Sequence, residues 1–193
     1  GLAPYREVIK RSEFIGYAKA VFTDQEVHDF LQDVKAKHPK ATHWVWAYKM
    51  GEVMFSSDAG EPSGSAGTPV LNAIRSSGLD YVMVVVVRYF GGILLGVKGL
   101  IDAYNSVARK TLEQASKGTV VHQCRALLQL DYEAYGKLYE DLARLVSEPE
   151  ALFQDQVIMQ GWVDVARKDD VEQLAAKGNM SLQWGEQKRI KVV

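Results

Sequence analysis

The spacing of hydrophobic and polar positions changes period several times along the chain, and the changes mark its elements. Residues 5–22 place branched and aromatic side chains in partial alternation with polar ones, which predicts a two-stranded hairpin. Thr23-Asp24-Gln25-Glu26 then reads as a capping box: the threonine oxygen takes backbone N–H groups and the glutamate reaches back. The helix it opens puts Val27, Phe30, Leu31 and Val34 on one face and ends before Pro39, whose ring disfavours helical geometry in the residue before it. Residues 43–48 and 53–55 read as strands joined by a turn at Gly51. Residues 56–67 break every regular pattern, and Thr68-Pro69 restarts a helix that stops at Gly78. Residues 81–87 are almost all β-branched with no polar alternation, the pattern of a strand buried on both faces. A loop over 88–99 leads into a helix to about residue 116.

The remainder has its own order. Residues 124–130 predict a strand and 135–146 a helix with Leu138, Leu142 and Leu145 inward. Strands follow over 151–156 and 160–166, then a helix over 169–177 closed by Gly178, then a strand over 181–187. That order, β-α-β-β-α-β, is the ferredoxin-like plan. The chain is therefore expected to be α+β with two domains, 1–120 and 121–193, divided near residues 117–121.

Composition narrows the classes. With 193 residues, 47% hydrophobic and 24% charged, the chain is ordinary for a globular protein, and its net charge of −1 excludes one that coats nucleic acid indiscriminately. A local basic patch remains compatible with that balance. Cys124, the lone cysteine, excludes an internal disulfide and sits among strand residues, where burial is expected rather than nucleophilic chemistry. The longest apolar run is far too short to span a bilayer and the start carries no secretion pattern, so a cytoplasmic protein without membrane contact is expected.

Candidate chemistry concentrates in two glycine-rich loops that each feed a helix. In the first, Ser57, Asp58, Gly60, Glu61, Gly64, Ser65, Gly67 and Thr68 offer hydroxyls, carboxylates and backbone amides at a helix N-terminus, where free N–H groups and the helix dipole favour an anion. The bland reading is a structural turn in which Asp58 closes the loop and Glu61 pairs with Arg88 or Lys98. In the second, Arg88 and Lys98 supply positive charge, Gly91, Gly92 and Gly99 open the backbone, and Tyr89 or Phe90 offers a face to a base or joins the core. Ile93, Leu94 and Leu95 are expected in the core. Asp58 and Glu61 also form the acid pair of a magnesium alternative, although two carboxylates alone make a poor site. His43 is the one histidine placed to reach the loops, with a buried hydrogen-bonded role expected. Familiar motifs fail here. Gly96-Val97-Lys98-Gly99 lacks the hydroxyl of a P-loop, no Gly-x-Gly-x-x-Gly occurs, and neither Ser63 nor Ser65 fits a nucleophile elbow.

Ser57-Asp58-x-Gly60-Glu61-Pro62-x-Gly64-x-Ala66-Gly67-x-Pro69 and Val86-Val87-Arg88-Tyr89-Phe90-Gly91-Gly92-Ile93-x-Leu95-Gly96-x-x-Gly99-Leu100-x-x-Ala103-Tyr104 resemble the two signature segments of the IMPACT family. Lys10-x-Ser12-x-Phe14-Ile15 matches as well, and the C-terminal half resembles the extra domain of the bacterial YigZ-type branch. The resemblance implies an N-terminal domain like the second domain of ribosomal protein S-five, a ferredoxin-like C-terminal domain, and a pairing similar to the end of elongation factor G. It implies no catalytic residues. The chain departs from the family at His43-Trp44-Val45, where relatives often carry His-His-Cys, and at Lys98, where glycine is common. The resulting expectation is a translation-associated, non-enzymatic module. It would bind RNA, a ribosomal surface or a translation factor through both loops, without cofactor or metal. The competing expectation is an enzyme acting on a phosphorylated small molecule or nucleotide.

Overall fold

The structure, a computed structural model, describes residues 4–192. The chain divides into one compact unit up to Ser116 and a second from Lys117.

In the first unit the elements are β1 (Tyr5–Ile9), β2 (Ser12–Ala20), α1 (Asp24–Lys37), β3 (His43–Met50), β4 (Val53–Ser57), α2 (Gly67–Ser77), β5 (Val82–Tyr89) and α3 (Gly96–Gln114). The capping box forms: Thr23 Oγ1 accepts from the Glu26 N–H at 3.2 Å, while the Glu26 carboxylate accepts from the Phe22 N–H at 2.6 Å. The strands make one sheet in the order β1-β2-β5-β3-β4, with β5 at its centre. Alternation along β5 divides the core in two. Val82, Val84 and Val86 pack with α2 and α3 side chains, whereas Met83, Val85 and Val87 pack with Val27, Phe30 and Val34 of α1. The run of valines reflects helices on both faces of the sheet. Every strand pair is antiparallel, so the crossover geometry of a parallel α/β sheet does not locate the site.

The second unit is β6 (Val120–Leu130), α4 (Tyr132–Leu145), β7 (Val146–Phe153), β8 (Val157–Asp164), α5 (Lys168–Lys177) and β9 (Ser181–Val192), with strand order β7-β8-β6-β9. This is the ferredoxin-like plan, all antiparallel. Its core joins Ala126, Leu128 and Leu130 of β6 to Leu142, Val171 and Ala175 of the helices. Asp131 caps α4 by accepting from the Ala134 N–H at 2.7 Å, and the helix starts three residues earlier than its apolar pattern predicts. Strand β7 begins at Val146 rather than 151 because a register shift between Ser147 and Glu150 absorbs Pro149, which would otherwise exclude a ladder. Cys124 is buried, its thiol near the Val163 carbonyl at 3.8 Å. No helix among the described residues is long and apolar enough to cross a membrane.

On the α1 side of the first sheet His38 stands between two phenols: Nε2 lies 2.7 Å from the Tyr17 hydroxyl and Nδ1 2.9 Å from that of Tyr89. A neutral ring donates to one phenol and accepts from the other. Burial, assisted by Arg6 and Lys37, holds the His38 pKa below its ordinary 6.5. The unfolded chain therefore binds a proton at His38 before the folded chain does, and this part of the stability is complete above pH 6.5 and declines as pH falls below it. The carboxyls held low, Asp58 and Asp80, have ordinary values of 3.8 and lose their contribution only at more acid pH. The melting temperature is expected to fall more between pH 7 and pH 5 in the wild type than in His38→Gln. Parallel curves from calorimetry on the two proteins would refute this account.

Candidate nucleic-acid interface

Strand register assembles the first part of the site. Phe14 and His43 flank Arg88 on the neighbouring strands β2 and β3, so all three side chains rise from one row on the α2/α3 face of the sheet. Tyr104 of α3 meets Phe14 edge to face, with ring centroids 5.3 Å apart. Arg88 is only 4% exposed, beside a core built of aliphatic and aromatic side chains. A charge in such a place needs a partner, because unpaired burial costs several kcal/mol. Glu61 supplies it from the first loop: its Oε1 accepts from Arg88 Nη1 at 2.6 Å and from the Tyr104 hydroxyl at 2.7 Å. Burial first, then the adjacent Glu61 charge, raises the Tyr104 pKa well above the usual phenol value, so this hydroxyl stays a donor. Arg88 Nη2 donates to Ser12 Oγ at 3.3 Å, and its guanidinium stacks over the rings of Phe14 and Phe90. His43 Nδ1 must carry the proton it gives to the Ala59 carbonyl at 3.0 Å, leaving Nε2 3.8 Å from Glu61 Oε1.

The rest of the first loop also turns its polarity inward. The Asp58 carboxylate accepts from the N–H groups of Gly64 at 2.9 Å, Ala66 at 3.0 Å and Gly67 at 2.8 Å. Burial raises the Asp58 pKa, but these three donors together outweigh burial and hold it below the ordinary carboxylate value. Pro69 contributes no N–H and that of Val70 already bonds to Ala66, so Asp58 occupies the place where an anion at α2 was expected. Gly67 has no room for a side chain, since a Cβ there would lie 2.7 Å from the Ser57 carbonyl carbon. Ser57 Oγ accepts from the Ala59 N–H at 3.3 Å, and the buried Ser65 hydroxyl donates to the Pro62 carbonyl at 2.6 Å. Gly60 lies beside the His43 ring, while Gly64 and the exposed Thr68 line an open cleft of about 490 Å³ between α2 and α3. Of the open anion cradle expected of Ser57, Asp58, Gly60, Glu61, Gly64, Ser65, Gly67 and Thr68, the two carboxylates, the Ser57 and Ser65 hydroxyls and the Gly64 and Gly67 amides are engaged within the protein, while Thr68 faces the cleft. The magnesium alternative loses its ligands too, because both carboxylates are engaged by protein donors.

The second loop is built the other way. Tyr89 is withdrawn by its bond to His38, whereas Phe90 is 44% exposed. Of the aliphatic residues expected in the core only Leu95 is buried; Ile93 and Leu94 stand out, Leu94 at 81% exposure. Helix α3 begins without a side-chain cap and without an acid in its first turn, and Lys98 is exposed there. Gly92 and Gly96 hold positive φ angles of 82° and 76°, with nothing within 4 Å of a built Cβ. Ser12 and Tyr104 escaped the sequence reading as site residues. Each acts through a contact distant in sequence, and only their place in the resembled motifs hinted at either.

The two loops are expected to differ under mutation. Glu61→Gln leaves Arg88 charged and buried, and a loss of about 3–5 kcal/mol is expected. Asp58→Ala removes the acceptor for three amides at a cost of about 1–3 kcal/mol. Lys98→Ala stays within about 0.5 kcal/mol of wild type. Denaturant titration of the three variants checks the order, and a Lys98→Ala loss matching that of Glu61→Gln would overturn it.

Comparison with known proteins identifies the family. The sequence model of the Impact N-terminal domain matches residues 10–112, which hold both loops and the residues that meet around Arg88. A Thermus thermophilus protein described as an IMPACT family member in the pol 5′ region is 36% identical over 151 residues, covering 78% of this chain and 83% of its own. An IMPACT family member of Haemophilus influenzae is 37% identical over 163 residues, covering 82% and 75%. A crystal structure described as that of a hypothetical protein overlays with a TM-score of 0.66 at 29% identity, across 96% of this chain and 95% of that one. The two-domain translational regulator Yih1 overlays at only 0.38 with 24% identity, across 58% of this chain and 45% of that one, too slight to bear on it. Matched through its first unit by the domain model and over most of its length by these relatives, the chain belongs to the IMPACT family.

Proposed function

We propose that this chain is a translation-associated, non-enzymatic module that binds RNA, free or on a ribosomal surface, through the loop from Arg88 to Gly99. The observation that carries the reading is the contrast between the loops. The first satisfies its amides with Asp58, while the second leaves the first turn of a 19-residue helix uncapped beside the exposed Lys98. Free amides and a lysine at the positive end of a helix suit a phosphate group. The open backbone at Gly92 and Gly96 lets a phosphate approach, whereas Gly91 is packed on the Arg11 carbonyl and Gly99 on Leu95. In this reading Arg88 has a supporting part: neutralised by Glu61, it holds the loop rather than the ligand. The first-loop residues likewise form the frame. The link to translation rests on family resemblance, through the likeness of the first domain to a ribosomal-protein domain and of the pairing to elongation factor G.

Phosphate contact releases counterions, so binding of a labelled RNA should weaken steeply between roughly 50 and 200 mM salt. Lys98→Ala is expected to weaken binding at low salt and to reduce the slope of log K against log salt by about 0.7–0.9, the value of one phosphate contact. Affinity that ignores salt, or that is unchanged in Lys98→Ala, would sink the reading. Thermal stabilisation by a sugar phosphate or nucleotide, without RNA binding, would favour the enzyme instead.

A further inference from the structure

We infer that the RNA site extends onto the β1–β2 turn, where Lys10 and Arg11 hold phosphates and Phe90 stacks on an unpaired base, so that the ligand is single-stranded RNA. This rests on the RNA reading above and specifies its ligand.

The turn is unusual in its residues. Ile9 pairs with Ser12, leaving Lys10 and Arg11 as the two central residues, and their φ angles are 45° and 64°. Two positive φ values define a type I′ hairpin turn, which ordinarily takes Asn-Gly because side chains resist that conformation. Here both positions carry a long cation.

The turn is joined to the second loop by direct packing. A Cβ on Gly91 would lie 1.9 Å from the Arg11 carbonyl oxygen, so only glycine lets the two backbones meet. The Gly91 N–H also donates to Ser12 Oγ at 3.3 Å. Helix α3 reaches the same end of the sheet. Thr111 lies against Gly16 and Tyr104 against Phe14, two residues nearer the turn. Moving seven residues along the helix advances roughly 10 Å. A further step of that length along α3 reaches its first turn, with Lys98, and carries it from Tyr104 toward the hairpin end of β2.

Cations outnumber acids at this end. Neighbouring cations have partners: Arg6 pairs with Glu13 and Lys110 with Glu7. Lys10, Arg11 and Lys98 make no ion pair among the described residues, and Asp102, the first acid along α3, makes none with Lys98. Three unpaired cations complement a polyanion. Phe90 adds what a duplex backbone does not use, a half-exposed aromatic ring with the Arg88 guanidinium 5.4 Å from its centroid. A positive groove with an aromatic platform is how single strands are held without sequence readout.

The test uses the full chain, a fluorescent single-stranded RNA of mixed sequence, and the same RNA as a duplex. Lys10→Asn with Arg11→Gly installs the favoured turn residues, so melting temperature is expected to hold or rise while single-strand affinity falls. The salt slope should drop by about 1.4, the value of two phosphate contacts to a single strand. Lys10→Gln with Arg11→Gln keeps the turn's side chains without charge and should lose the same slope, which decides the matter if the first variant folds poorly. Phe90→Ala should weaken single-strand binding roughly 5- to 150-fold, the range for one stacked base, and leave duplex binding unchanged. Wild-type affinity in both turn variants, with Lys98→Ala still weakened, overturns this inference alone. Preference for the duplex, or binding of an acidic protein surface in place of RNA, also overturns it. A wild-type chain that binds no RNA removes the broader reading first.

Discussion

The bond between Glu61 and Arg88 sets the terms for the rest of the first domain. A guanidinium at the end of the central strand would be untenable among valines without a carboxylate, and no strand supplies one. The carboxylate comes from a loop, so the loop must fold down over the sheet to deliver it. Tyr104 fixes the same oxygen from α3, which ties sheet, loop and helix at one atom. Both charges are desolvated, so the pair adds little net stability, but it strongly disfavours arrangements that separate its members.

That constraint explains why two loops of similar composition are used differently. To deliver Glu61, the first loop must turn tightly, and the turn leaves a series of N–H groups pointing inward. Asp58 is the acceptor that satisfies them. The second loop leaves the sheet after Tyr89 and has no internal carboxylate; Thr42 and Ser12 take the N–H groups of Phe90 and Gly91, and the first turn of α3 is left without a side-chain cap. Glycine content alone does not reveal a binding loop; what matters is whether the chain supplies its own acceptor.

Much of the fold was legible because its signals are local. The Thr23–Glu26 cap, the valine run of β5, the stop at Gly78 and the β-α-β-β-α-β order each depend on residues a few positions apart. Strand direction was not legible, since a strand buried on both faces reads the same whether its neighbours are parallel or antiparallel. The start of β7 was hidden by Pro149, whose cost the bulge removes. At the site, the pairing of Glu61 with Arg88 was among the readings available from residue types. The joining of Ser12, Tyr104 and His43 to that pair was not, because it depends on register across three strands and a helix. Leu94 and Ile93 were misplaced by the same limitation: hydrophobicity names candidates for burial, and only the path of the loop decides which are covered.

The hairpin at Lys10 and Arg11 shows where local rules fail for a physical reason. Propensity places glycine or asparagine in such a turn, and two cations there contradict it. Single left-handed side chains cost of order 1–2 kcal/mol each. The surroundings over-determine the conformation: five paired positions of β1 and β2 fix the loop at two residues, and the backbone contact at Gly91 fixes where it lies. The chain therefore holds two charges at a strained tip beside an uncapped helix while its buried charges are paired. The net charge of −1 conceals this separation. Because paired charges cancel at short range and unpaired ones do not, the field outside this end of the domain is set by the hairpin and α3, although the buried core holds a charged pair.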